Sequence, residues 1–318
     1  MAERKPVLEF RDVSVHFGET IGIEDISFVV NEGDARIILG AAGSGKSVLL
    51  KVALGLVKPS KGRVLAFGED VTSFTEEQWF QVRRKLGVLF QEGGLFDSLT
   101  IEENVAYPLN NNRLDKMSTE TIHEEVKSAL EFVELGHTLD KVPSELSGGM
   151  RRRVGIARAM VTQPLLTLYD SPTAGLDPMT SYTIVALITK ERCVHNTTTM
   201  IATHRYQDGH FLANYTYNKE TQSIEPIRAT GPDGDPFTRF WVLQEGRLVF
   251  NGTQSELERN SDPYNACISA RLEPSGKSAS NEDAPPESKN STLSSFLNPF
   301  NDSRSSVVAS TLCLSGTG

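Results

Sequence analysis

The sequence predicts an α/β fold in which a parallel sheet is connected by crossover helices. Three observations predict it. Short apolar, β-rich runs alternate along the chain with stretches of helical period, the pattern of strand–helix–strand units. One of those runs, Ala35-Arg36-Ile37-Ile38-Leu39-Gly40, leads straight into a glycine-rich loop. The first thirty residues alternate instead between apolar and polar, as half-exposed antiparallel strands do. The chain has 318 residues, of which 38% are hydrophobic and 23% charged, enough of both for an ordinary soluble core. That length fits one large domain or two modest ones, at roughly 100–200 residues each.

Taken in order, residues 7–17 and 23–30 read as strands, and 35–40 as a buried strand ending in glycine. Helical periods follow at 46–56, 75–85, 119–135, 150–162 and 179–192. Between them lie the strand-like runs 86–90, 165–169 and 197–203. Residues 241–250 read as a hairpin turning at Glu245-Gly246, followed by a short helix near 255–260. There is no internal repeat. Composition shifts near residue 272: serine makes up 12 of the last 47 residues, with Pro274, Pro285, Pro286 and Pro299 among them. So few apolar residues cannot offset the entropy of ordering, which predicts a disordered tail over 271–318. Phe296 and Phe300 give it one short stretch able to dock.

The formal net charge is −9, without the overall basic footprint of a nucleic-acid binder, so no nucleic-acid partner is expected. Cys193, Cys267 and Cys313 are widely spaced, which excludes a disulfide scaffold or a cysteine zinc site and fits small side chains in a reducing compartment. The N-terminal residues lack the apolar core of a signal peptide. No run reaches the roughly 18 apolar residues of a membrane span. The expected location is therefore cytoplasmic, with any membrane attachment made through a partner.

Chemistry is carried by three stretches. Gly40-Ala41-Ala42-Gly43-Ser44-Gly45-Lys46-Ser47 fits the phosphate-loop pattern, after a buried strand and before an apolar helix, where the chemistry needs it. Glycines let backbone N–H groups turn inward around phosphate oxygens, Lys46 brings a cation to the β- and γ-phosphates, and the Ser47 hydroxyl can ligate Mg2+. The expected ligand is a nucleoside triphosphate with its metal. Leu165-Leu166-Thr167-Leu168-Tyr169-Asp170 is an apolar strand ending in a carboxylate, which in a phosphate-loop protein holds Mg2+ directly or through water. Leu146-Ser147-Gly148-Gly149-Met150 precedes a helix and forms a second anion site. One phosphate loop needs only one such partner, so two chains arranged head to tail would use both sites.

This order of motifs resembles the ATP-binding subunit of ABC transporters, over about residues 7–259. The series runs through the phosphate loop at 40–47, Gln91, the LSGGM stretch at 146–150, Asp170, Ser171-Pro172-Thr173-Ala174-Gly175-Leu176-Asp177, and His204. The resemblance implies a P-loop NTPase of ABC type: a mixed sheet core, an antiparallel β subdomain and an α-helical signature subdomain over about 92–160. The ATP-binding domain would span 7–270. It further implies ATP and Mg2+ as ligands. Phe17 or His16 would stack on adenine, with Phe17 favoured, and Gln91 would sense Mg2+ and relay to the membrane subunit. Ser147, Gly148 and Gly149 would meet the nucleotide of a second copy, with Asp177 at the dimer interface and His204 at the γ-phosphate. The implied partners are that second copy, an integral membrane permease and, where the permease works with one, a substrate-binding protein.

Residues 89–100, 103–109 and 144–150 resemble more closely the Mla-type branch, which serves phospholipid transport between bacterial membranes. A small-solute importer is the alternative within the family. A non-transport ABC protein acting on DNA or ribosomes would carry two ATP domains or a long coiled coil, and this chain has one phosphate loop and no sustained heptads. Two departures stand out. The family has Glu directly after the strand-end Asp, where this chain has Ser171. A hydroxyl is no base near neutral pH, and positioned acid–base help is worth about 10²–10⁴ in rate, so slow hydrolysis is expected, or an ATP-binding switch with little hydrolysis. Glu92, directly after Gln91, is a candidate substitute carboxylate. Second, residues 205–240 are longer than the family has there; an insertion is expected over about 208–240, with a hairpin from 214–218 and 223–227 and a loop at 231–236.

Overall fold

The computed structural model describes residues 4–91, 93–111, 117–227 and 234–269. Glu92, part of the loop at 231–236 and the Ser/Pro-rich tail with Phe296 and Phe300 lie outside the described residues, as do Cys313 and the Cys267 side chain. Cys193 is a half-buried free thiol.

The chain begins with two twelve-residue strands, β1 (Pro6–Phe17) and β2 (Thr20–Asn31), paired antiparallel. Then come β3 (Ala35–Leu39), α1 (Lys46–Ala53), β4 (Lys61–Ala66), β5 (Glu69–Asp70), α2 (Glu76–Arg83) and β6 (Leu86–Leu89). Helices α3 (Ile101–Asn110) and α4 (Thr119–Phe132) and two 3-10 turns lead to α5 (Gly148–Met160) and β7 (Leu166–Asp170). The rest is α6 (Pro178–His195), β8 (Thr198–Thr203), α7 (Tyr206–Asn214), β9 (Tyr215–Asn218), β10 (Ser223–Pro226), β11 (Thr238–Gln244), β12 (Arg247–Gly252), α8 (Gln254–Glu258) and α9 (Pro263–Ser269).

The central sheet has six strands in the order β12-β11-β3-β8-β7-β6. Its strands run parallel except β12, which returns antiparallel from β11. Both faces are buried, and the period of two divides each strand's side chains between two cores. Ile37, Leu39, Tyr169, Ile201, Phe240 and Val242 face the core shared with α3–α7. Ile38, Leu168, Met200, Ala202, Trp241 and Leu243 face the core shared with α1, α2 and the antiparallel sheet β2-β1-β4-β5. This is the α/β architecture of the sequence reading, with a mixed central sheet, a separate antiparallel sheet and a helical stretch between β6 and β7.

Local chemistry sets the helix starts. Thr75 caps α2 and Thr100 caps α3, each in a capping box with the residue three positions on. Asp177 caps α6, and Pro178 occupies its first turn, where the missing N–H costs nothing. The hairpin expected near 214–227 forms as β9 and β10, with Ile224 buried. Before it, α7 lies flat on the sheet: a Cβ at Gly209 would fall 2.6 Å from Ile37 Cγ2 and 2.7 Å from the Phe240 ring. Among the described residues no helix is long and apolar enough to cross a membrane.

Candidate functional site

The register of the central sheet gathers most of the residues singled out in the sequence at one edge. Leu39 lies opposite Thr203, Asp170 opposite Ala202, and Leu89 opposite Tyr169. Gly40, His204, Ser171 and Gln91 therefore leave the carboxyl ends of neighbouring parallel strands, the edge where open α/β sheets bind ligands.

The phosphate loop spans the turn from β3 to α1. Gly45 has φ of 101°, and a Cβ there would fall 2.6 Å from the Gly22 carbonyl oxygen, so only glycine brings the loop this close to β2. Helices α2 to α6 and α8 each receive a side-chain cap. Helix α1 receives none and has no acidic residue in its first turn. Its N-terminal N–H groups and positive dipole end are thus directed at the loop. Lys46 is buried; its Nζ donates to Gly40 O at 2.8 Å, to Ala41 O at 2.7 Å and to Ser44 Oγ at 3.3 Å. Burial lowers the Lys46 pKa, and the nearby Asp170 carboxylate acts in the opposite direction. A buried cation, an uncapped helix start, the Ser47 hydroxyl and the Asp170 carboxylate make a donor set that fits a magnesium–triphosphate group.

Phe17 is 51% exposed. With Thr20, Ile21 and Gly22 it forms one side of a cleft whose other side is loop residues 43–48. His16 instead turns to Glu24, its Nε2 2.6 Å from the carboxylate, which leaves Phe17 as the ring beside the loop. Ser171 adopts φ of 51°, donates its N–H to Ala202 O at 2.8 Å and its hydroxyl to Asp170 Oδ1 at 3.2 Å. Gln91 and His204 are exposed.

The model of the ABC transporter family matches residues 23–174, from β2 through the phosphate loop to just beyond Asp170. A methionine import ATP-binding protein, MetN 1 of Staphylococcus aureus, is 39% identical over 255 residues, 79% of this chain and 67% of that protein. The chain belongs to the ABC transporter family. A probable ribonucleotide transport ATP-binding protein, mkl of Mycobacterium leprae, is 36% identical over 197 residues. That alignment covers 62% of this chain and 56% of the relative, so the chain spans little more than half the mycobacterial protein's length. Among solved structures, the dimeric post-hydrolysis state of the ATP-binding cassette MJ0796 bound to ADP and Pi superposes with a TM-score of 0.65 at 26% identity, over 77% of this chain and 98% of that one. The structure of cbiO1 from Clostridium perfringens, part of the ABC transporter complex cbiONQ, gives a TM-score of 0.63 at 26% identity, over 80% and 90%. ATP binding and ATPase activity belong to ABC ATPases as a class.

The rest of the ABC motif series forms a second cluster. Ser147 caps α5, its Oγ accepting the Met150 N–H at 3.2 Å. A Cβ at Gly149 would fall 2.5 Å from Thr180 Cγ2, one at Gly148 would lie 3.7 Å from Leu176, and Arg152 donates to Ala174 O at 3.1 Å. Asp177 caps α6, accepting the Thr180 N–H at 3.0 Å and its hydroxyl at 2.5 Å, bonds that lower its pKa. Residues 147–152 therefore pack on residues 174–180. Among the described residues no hydrogen bond joins Ser147 to the phosphate loop of the same chain.

Two side chains at the site escaped sequence analysis. Tyr264 of α9 accepts the Ala41 N–H at 3.0 Å and donates to Leu243 O at 3.2 Å, tying the phosphate loop to β11. Asp208 of α7 is buried and bonded to Thr173 and Thr203. Neither lies in a pattern that spacing alone reveals. A tyrosine two helices beyond the last hairpin and a carboxylate four residues after His204 carry no motif.

Proposed function

We propose that this chain is the ATP-binding subunit of an ABC transporter, and that it binds Mg-ATP in a head-to-tail dimer and hydrolyses it slowly to drive a membrane permease. The observation that carries this is the buried Lys46, held among loop oxygens at the uncapped start of α1 with Asp170 close by. Lys46 and the N–H groups of residues 40–47 would bind the phosphates, Ser47, Gln91 and Asp170 would hold Mg2+, and Phe17 would stack on adenine. The metal supplies charge neutralisation at the phosphates. His204 stabilises charge at the γ-phosphate. Ser171 orients the attacking water through a hydrogen bond and does not take its proton. Much of phosphoryl-transfer catalysis is placement and charge stabilisation, so part of the rate survives. Ser147, Gly148, Gly149 and Asp177 belong to the face that meets the second copy.

In this proposal the ATP-binding domain covers 7–270, with the signature subdomain over about 92–160 and the inserted hairpin within 208–240. The permease holds the subunit at the inner face of the membrane. The groove between α2 and α3, lined by Phe80, Arg84, Lys85, Leu109 and Met117, offers the apolar and basic surface for that contact. Phospholipid is the proposed cargo, supported by the motif resemblance at 89–100, 103–109 and 144–150. Identity with the methionine import protein favours a second reading, the ATPase of a small-solute importer.

The test is dimerisation. Mg-ATP, but not Mg-ADP, shifts the full chain toward dimer in light scattering, and Ser147→Arg abolishes the shift. A chain that binds ATP yet stays monomeric with and without the permease contradicts the head-to-tail assembly.

A further inference from the structure

We propose that Asp208 is a positioning residue which holds the Ser171 loop and the His204 loop at a fixed separation. The inference rests on the proposed function, because it concerns how two groups assigned to the γ-phosphate are placed. One carboxylate oxygen, Oδ2, accepts the Thr173 hydroxyl at 2.6 Å and the Thr203 hydroxyl at 2.8 Å. Thr173 lies two residues after Ser171 on the loop leaving β7. Thr203 is the last residue of β8 and directly precedes His204. The other oxygen faces Arg205, whose Nε is 3.6 Å away, and the Arg205 N–H donates to Thr203 Oγ1 at 3.1 Å. Thr173, Thr203 and Asp208 are all nearly inaccessible to solvent. Burial raises the Asp208 pKa, while the two hydroxyls and Arg205 and His204 oppose it.

The carboxylate cannot drift. It sits in the first turn of α7, and the next residue, Gly209, lets that helix lie against Ile37 and Phe240 with no room for a Cβ. Asp208 thus ties the loop leaving β7 to the end of β8, the strand from which His204 emerges. A carboxylate used only to cap α7 would not need donors from both. With Ser171 in place of a base, the reaction depends on placement of water and His204, and a misplacement of about 1 Å is enough to cost on the order of 10²-fold in rate.

Turnover is measured as steady-state phosphate release at saturating Mg-ATP with the full chain, in the natural background and in Ser171→Glu, with ATP affinity by calorimetry alongside. Asp208→Ala is expected to lower kcat at least about tenfold in either background and to leave ATP affinity within about twofold, since Lys46 and Ser47 do not touch Asp208. Asp208→Asn keeps a carbonyl oxygen able to accept both hydroxyls, and is expected to retain kcat within about threefold. Thr173→Val and Thr203→Val, close in shape, each lower kcat, and neither lowers it further once Asp208 is alanine. If Asp208→Ala does not fold, the two single valine variants and their double carry the test, and a kcat equal to the parent's in all three overturns the proposal. The proposal is overturned if Asp208→Ala turns over as the parent does, if Asp208→Asn fails as badly as alanine, if the valine effects persist in the alanine background, or if neither background turns over. A parent chain that fails to bind Mg-ATP would instead overturn the proposed function itself.

Discussion

The phosphate loop and the loop after Asp170 share one edge of the sheet, separated only by β8, yet they are equipped very differently. Around the loop stand groups suited to holding phosphate and its metal: Lys46 among the carbonyls of Gly40 and Ala41, an α1 start without a side-chain cap, and Asp170 nearby. Two strands away, where a water would be activated, Ser171 offers a hydroxyl already donated to Asp170 Oδ1. On the proposed reading, the difference teaches that binding and bond cleavage can be separated in this fold. The first is built from backbone and one buried cation, and in the proposed mechanism the second turns on what stands at Ser171.

The largest effect that sharpens the comparison is on the binding side. Lys46→Ala removes the fixed cation of the loop, and charge-assisted hydrogen bonds are worth about 1.5–3 kcal/mol each. ATP affinity by calorimetry is expected to fall at least about 100-fold with the circular dichroism spectrum unchanged. Unchanged affinity would break the assignment of the loop.

A smaller effect tests the strand beneath Asp170. Tyr169 is fully buried, and its hydroxyl donates to Glu191 Oε2 at 3.4 Å. Burial raises the Glu191 pKa from 4.5 to about 7. A buried carboxyl with a raised pKa binds its proton more tightly in the folded chain, so its stabilisation is complete below about pH 4.5 and is lost as pH rises through about 7. Thermal stability is therefore expected to fall by several degrees between pH 5 and 8, about 2–3 kcal/mol at about 1.4 kcal/mol per unit of pKa shift. Glu191→Gln flattens that slope. A slope that persists in Glu191→Gln would assign the titration elsewhere.

The smallest effect is at the C-terminus. Truncation after Ala270 keeps Tyr264 and its bond to the phosphate loop. It removes a segment whose composition supplies little to a core. ATP affinity and melting temperature are expected to stay within error, and a loss of several degrees would show that the tail packs on the domain.

The sequence made the binding side legible and the hydrolytic side only half so. The phosphate loop, β3 and Asp170 could be read because spacing, apolar runs and glycines all agree there. Ser171 could be read as a hydroxyl where the resemblance expects Glu, but its φ of 51° and its bond to Asp170 could not be read. Helix α3 escaped because Pro108 interrupts its period and Asn104 occupies a core position. That Asn is satisfied by Phe96 N–H and by the carbonyls of Phe96, Leu99 and Thr100. The capping box of Thr100 and Glu103 was the available signal. Strand β4 has only Val64 and Ala66 buried and owes its conformation to pairing with β1, which no local pattern shows. Asp208 was invisible because its partners lie 5 and 35 residues away.

The most direct test of this division is phosphate release by Ser171→Glu beside the natural chain, with ATP affinity measured on both. The account predicts slow hydrolysis by the natural chain, an increase of at least about tenfold in Ser171→Glu, and ATP affinity unchanged within about twofold, since the side chain acts on the water. A natural chain that already turns over as fast as Ser171→Glu would contradict it, and Glu92→Gln would then show whether that carboxylate has taken over the role of the base.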